Sequence, residues 1–170
     1  MKLQQRFVLS TVVIFIISIV IGFILANLIY ISFVRDSVDA RYFQILEEIT
    51  EQIEEHTTSF EQASSFLESM SVFGYQIALI SENGEQSFFG APFHETTIND
   101  EMKSTLQGRG DYHGVTSLKS SLFMMNHFSN NIQNTVGKSL LIGGDKGAVF
   151  LRVNNTSFFT EFHLVIFGFI

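Results

Sequence analysis

From Phe7 to Val34 the chain carries no Asp, Glu, Lys, Arg or His; only Ser10, Thr11, Ser18, Gly22, Asn27 and Ser32 interrupt the apolar run. At about 1.5 Å per residue the run exceeds the roughly 30 Å of bilayer hydrocarbon, so it predicts a helix that spans a membrane with tilt. A second apolar stretch, Leu164 to Ile170, supplies about two helical turns of the roughly 20 residues that a crossing takes, and it predicts the truncated start of a second span. Between them the periodicity changes several times. Val38, Tyr42, Ile45, Ile49 and Ile53 recur at spacings of three and four, and no Gly or Pro intervenes between Phe33 and Thr58. This predicts a helix continuous with the span, with Glu47, Glu48, Glu51, Glu54 and Glu55 on its opposite side. A second helix buries Phe60, Ala63, Phe66, Leu67 and Met70.

From Gly74 the pattern turns to strands. Tyr75 to Ile80 is a β-type run, Glu82-Asn83-Gly84 is a turn, and Ser87-Phe88-Phe89 begins a return strand. Gly90-Ala91-Pro92 breaks it. Asn99 or Asp100 caps a helix that runs to Leu106 and closes at Gly108. Asp111 to Val115 forms a short strand. Val136 to Ile142 and Ala148 to Val153 form a hairpin across Gly143-Gly144-Asp145-Lys146-Gly147, and the chain is helical again from Thr156. Antiparallel strands with helices on one side make an α+β domain. Held between two membrane-continuous helices, such a sheet resembles the PAS-like sensing domains of bacterial receptors. The expected organisation is a cytoplasmic N-terminus over 1–6, a span over 7–34, an extracytoplasmic sensor over 35–162 and the start of a second span over 163–170.

Charge sets the orientation. All 17 acidic residues and eight of the ten basic ones fall between Arg35 and Glu161, whereas Lys2 and Arg6 stand before the span with no acid beside them. The positive-inside rule puts the N-terminus in the cytoplasm and the acidic middle outside. A cleaved signal peptide would have a shorter apolar core and an A-x-A-like site, and Ala26 stands alone in this run. With no cysteine, thiolate ligation of a metal, cluster or haem is excluded. With no basic stripe, nucleic acid is not an expected partner.

Candidate chemistry is sparse. There is no Gly-rich phosphate loop, no H-E-x-x-H and no G-x-S-x-G, so no catalytic residue is assigned. The unusual feature is 19 Phe and no Trp, with Phe33, Phe158, Phe159, Phe162, Phe167 and Phe169 at the two membrane borders. The plain reading is packing against membrane lipid. The sharper one is an apolar slot for a planar lipophilic ligand such as haem, whose propionates want Arg or Lys and whose iron accepts His, Tyr or Met. His94, His113, His127, Tyr112, Met124 and Met125 are candidates for iron, and Arg152, Arg109 and Lys146 for propionate. The alternative for any one His is a surface or hydrogen-bonded role, and for Arg152 a lipid headgroup or a surface ion pair. Glu48, Glu51 and Glu55 share a helix face and could meet a divalent cation, against the simpler reading of a solvated face.

Tyr75-Gln76-Ile77, Phe89-Gly90-Ala91-Pro92-Phe93, Asp111-Tyr112-His113-Gly114, Asn134-Thr135-Val136-Gly137, Ala148-Val149-Phe150-Leu151-Arg152 and Phe159-Thr160-Glu161-Phe162 follow one another in the chain. In that order they resemble the extracytoplasmic sensor of the haem-sensing two-component histidine kinases of Gram-positive bacteria. The resemblance implies a homodimeric receptor that detects haem at the outer membrane face. It also implies a cytoplasmic kinase, absent from these residues, that phosphorylates a response regulator controlling haem efflux. Arg152 matches the family's Arg at the end of the last strand, a propionate partner. His94 departs from it, because a relative has Arg after the Gly-x-Pro-Phe turn. Phe33, Phe93, Phe128 and Phe159 would supply the apolar contacts. Rival readings are a sensor of another envelope stress and a membrane-anchored interaction protein without a kinase.

Overall fold

The computed structural model describes residues 3–117 and 129–153. Its first element is α1, Leu3–Ile29, whose apolar side chains point outward along its whole length. The hydroxyls of Ser10 and Thr11 donate to Phe7 O, Ser18 to Ile14 O, and the Asn27 amide to Phe23 O at 2.7 Å. These four polar groups are thus turned back onto the helix, which is what an apolar surrounding demands. A π turn, Tyr30–Val34, closed by the Arg35 N–H on Tyr30 O, joins α1 to α2, Arg35–His56. The two make one helix that is long and apolar enough over its first part to cross a membrane. The continuity expected from the sequence holds, with the π turn adding a register shift between the faces of α1 and α2.

Thr57 leaves the helix in an extended conformation, its N–H and hydroxyl both on Ile53 O. Ser59 then caps α3, Phe60–Ser71, by accepting from Gln62 N, while Gln62 Oε1 reaches back to Thr58 N at 2.9 Å. This reciprocal cap starts α3 only three residues after α2 ends. The rest is β1 Tyr75–Ser81, β2 Gln86–Phe89, α4 Asp100–Leu106, β3 Tyr112–His113, the single turn α5 Gly114–Ser117, a 3-10 turn Ile132–Asn134, β4 Val136–Ile142 and β5 Asp145–Val153. Asn99 caps α4 through its side chain on Met102 N at 2.8 Å.

The five strands form one antiparallel sheet in the order β2-β1-β5-β4-β3. Alternation assigns the faces. Ile77, Leu79, Val149 and Leu151 face Leu46, Ile49 and Ile53 of α2 and Leu67 of α3. Ala78, Ile80, Ala148 and Phe150 face the other way, against Phe93, Met102, Tyr112 and Ile132. Helices therefore cover both faces, with α4 and loops on the second, where the sequence had suggested one side. Two other expectations change. Only Tyr112 and His113 of the Asp111–Val115 stretch are strand, because Gly114 turns the chain into α5. The β4–β5 turn is Gly143-Gly144 alone, both at positive φ, so Asp145 to Gly147 pair with β4. The helix expected from Thr156 and the second apolar stretch lie outside the described residues.

Candidate ligand site at the end of the sheet

Arg152, next to the last residue of β5, pairs with Gln76 near the start of β1. Alternation sends both side chains to the Phe150 and Ala78 face, and both are buried, Arg152 at 6% exposure and Gln76 at 2%. Arg152 Nη1 donates to Gln76 Oε1 at 2.5 Å and to Asn130 Oδ1 at 3.2 Å. Burial lowers the Arg152 pKa, opposed by its electrostatic interaction with Tyr42; a guanidinium stays charged regardless. Arg152 is thus a buried cation.

The same network ties down the Gly90–His94 turn. Gln76 Nε2 donates to Ala91 O at 3.0 Å and to Asn130 Oδ1 at 3.1 Å, and Asn130 Nδ2 donates to Pro92 O at 2.8 Å. His94 N donates to Asn130 O at 2.9 Å. Phe93 is buried beside this cluster, its ring 5.8 Å from that of Phe88, while the His94 side chain is exposed. The structure therefore brings Arg152, Phe93 and the backbone of His94 together at one end of the sheet. It adds Gln76 and Asn130, which the sequence reading did not select. Gln76 left one signal: it is a polar residue followed directly by the apolar run Ile77 to Ile80, in phase with Ala78 and Ile80.

The other candidates scatter. Tyr112 lies on the same sheet face but is buried, its hydroxyl donating to Gln133 O at 2.8 Å and accepting from Asn99 Nδ2 at 3.1 Å. Burial pushes its pKa up to about 12, against the hydrogen bond from Asn99. His113 points to the opposite face, where Nδ1 meets Asp39 Oδ2 of α2 at 2.6 Å and the ring stacks 4.7 Å from Phe43. Burial raises the Asp39 pKa, opposed by the hydrogen bond and charge of His113. Lys146 is the second residue of β5, six residues or about 20 Å from Arg152, and Arg109 is exposed beyond α4. Phe33, in the π turn, is 78% exposed. His127, Met124, Met125, Phe128 and Phe159, with the other C-terminal Phe residues, lie outside the described residues.

The acidic face of α2 is also redistributed. Glu47 meets Lys138 of β4 at 2.6 Å, a hydrogen bond that raises the Lys138 pKa, and Glu54 accepts from Leu141 N. Glu48, Glu51 and Glu55 remain solvated, and among the described residues no group of three or more His, Asp or Glu could hold a metal ion.

The sequence profile of the HssS heme sensor protein N-terminal domain matches residues 2–159. The chain belongs to this family. Three HssS relatives, each named heme sensor protein HssS, show how far the likeness extends. That of Staphylococcus saprophyticus is 28% identical over 166 residues, 97% of this chain and 35% of the relative. That of Staphylococcus aureus strain Newman is 28% identical over 160 residues, 94% and 35%. That of Staphylococcus epidermidis is 28% identical over 165 residues, 96% and 36%. The chain thus spans about a third of the length of these HssS proteins. No solved structure matches it.

Proposed function

We propose that this chain is the input segment of a membrane sensor histidine kinase that detects haem. It would sit in the membrane through residues 7–34, with 1–6 in the cytoplasm, 35–162 as the extracytoplasmic sensor and 163–170 opening a second span. The sheet order β2-β1-β5-β4-β3, with long helices on one face and a short helix and loops on the other, supports a PAS-like reading of the sensor. Membership of a family whose curated relatives are named heme sensors supports the ligand.

The observation that carries the reading is the buried Arg152 guanidinium beside Phe93. A haem entering from the outer leaflet would set its apolar macrocycle against Phe93, with Phe33, Phe128 and Phe159 contributing from the membrane borders. A propionate would meet Arg152, because charged partners form the stronger hydrogen bonds and a guanidinium matches a carboxylate in shape. His94, exposed on the turn after Phe93, would meet iron or the second propionate; His113, His127 and Tyr112 are weaker candidates for iron. Haem would move the placement of α2 only through a difference in affinity between two arrangements. The output would follow in a homodimer, through a cytoplasmic kinase and a response regulator governing haem efflux.

The chain in lipid nanodiscs, titrated with haem and followed by visible absorption, tests this. A saturable Soret shift that weakens about tenfold in Arg152→Ala is expected, from the loss of a charge-assisted hydrogen bond. Absence of saturable binding would favour a sensor of another envelope stress.

A further inference from the structure

Side-chain pairs fix how α2 lies along the sheet. Asp39 meets His113, which pairs with Val136; Glu47 meets Lys138; and Glu54 accepts from Leu141 N. Val136 and Leu141 pair in turn with Leu151 and Lys146, so the helix runs from the Leu151–Ile77 rung toward the Lys146 end. Its first residue, Arg35, stands four residues or about 6 Å before Asp39, and the Tyr75–Val153 rung stands two residues or about 7 Å beyond Ile77 on the same side. The start of β1 is therefore level with the place where the apolar run ends.

The turns at this end of the sheet differ from those at the other. Ser71–Gly74, between α3 and β1, and Gly90–Pro92, after β2, carry no ionisable side chain, and they adjoin: a Cβ on Gly90 would lie 3.4 Å from Ser71 Cβ. The far end holds Glu82 and Glu85 between β1 and β2, Asp145 and Lys146 at the start of β5, and Glu54 and Glu55 at the close of α2. Val72 and Phe73 are 83% and 76% exposed, the most exposed large apolar side chains among the described residues outside α1 and the π turn. The backbone beneath them is closed, with Phe73 N donating to Met70 O and Gly74 N to Ser71 O. Leaving water favours both side chains, and an uncharged end pays no desolvation of ions on meeting lipid.

We propose that the α3–β1 turn docks on the membrane: Val72 and Phe73 enter the headgroup–acyl boundary of the leaflet from which α2 emerges, and hold the uncharged end of the sheet against lipid. The proposal rests on the membrane reading of residues 7–34 and is independent of the ligand. It tethers the sheet at two points, through α2 and through this turn, and keeps the Gly90–His94 turn at the lipid surface.

The chain has no Trp, so one introduced Trp reports its own surroundings. Phe73→Trp, with Val72→Trp as an independent repeat, is measured in the full chain in zwitterionic nanodiscs with a Trp-free belt. The quenchers are lipids brominated on their acyl chains and aqueous iodide. Two controls bracket the turn: Ile16→Trp inside the apolar run and Glu82→Trp at the charged end, both at exposed positions. Emission of Phe73→Trp and Val72→Trp is expected to shift to the blue and to be lost to brominated lipid, as in Ile16→Trp, while Glu82→Trp is quenched by iodide alone. Quenching of both turn variants by iodide and not by lipid would overturn the proposal and leave the span standing. Protection from both quenchers would overturn it in favour of a protein surface, such as a second copy, on the turn. Lipid quenching of Glu82→Trp as well would overturn it by laying the whole sheet on the bilayer. No lipid quenching of Ile16→Trp would overturn the membrane reading, and the proposal with it.

Discussion

Asp39 stands one turn beyond the π turn, where α2 begins to pack on the sheet, and its Oδ1 is buried with no hydrogen-bond partner among the described residues. Its other oxygen meets His113 of β3. Burial is the largest influence on this carboxyl and raises its pKa. The His113 hydrogen bond and charge oppose it, Asp36 adds to it, and Arg35 opposes it. An acid whose pKa is raised on folding binds its proton more tightly in the folded state. Its contribution to stability is therefore full below the unfolded value, about 3.9, and is lost as pH rises through the raised folded value. Asp39→Asn keeps the shape and cannot titrate. Thermal unfolding of both chains between pH 4 and 7 should show wild type losing stability relative to Asp39→Asn as pH rises. The opposite slope would mean that the His113 pairing outweighs burial.

At the scale of elements, the sequence marked the right strands and misjudged their glycines. Three glycines in the five residues from Gly143 to Gly147 read as one long turn, since glycine clusters mark loops. Only Gly143 and Gly144 turn, at φ of 61° and 100°, as a two-residue hairpin with positive φ at both positions requires. Gly147 is a strand residue where a Cβ would come 3.0 Å from the Phe60 ring. Gly137 plays the same part in β4, where a Cβ would lie 2.4 Å from the ring of Phe150, its neighbour across β5. Such close approaches depend on which residues face each other across strands, and periodicity does not report that. Gln76 and Asn130 escaped for the same reason: they lie 54 residues apart and meet only once the sheet registers. Gly137→Ala should cost about 1–3 kcal/mol, the usual penalty for overfilling a packed core. Thermal denaturation should show a lower Tm, partly recovered in Gly137→Ala with Phe150→Leu; an unchanged Tm in the single variant would show that the ring moves aside freely.

At the scale of the whole molecule, the long helix was the most legible feature, because a run without charge from Phe7 to Val34 has few folded alternatives. The same helix carries its second half, α2, onto the sheet, so one continuous element links the apolar segment to the face opposite Arg152. The proposed side of the bilayer for the sheet rests on charge: Lys2 and Arg6 precede the apolar run, and every acidic residue follows it. The absence of native cysteine makes this orientation directly testable, since a single introduced thiol is the only one that can react. Ser65, exposed on α3, and Gln4, exposed at the start of α1, lie after and before the apolar run. In intact bacterial cells stripped of wall, a membrane-impermeant maleimide should label Ser65→Cys at once and Gln4→Cys only after permeabilisation. Labelling in the reverse order would place the sheet in the cytoplasm, and haem arriving from outside could then reach Arg152 only after crossing the bilayer.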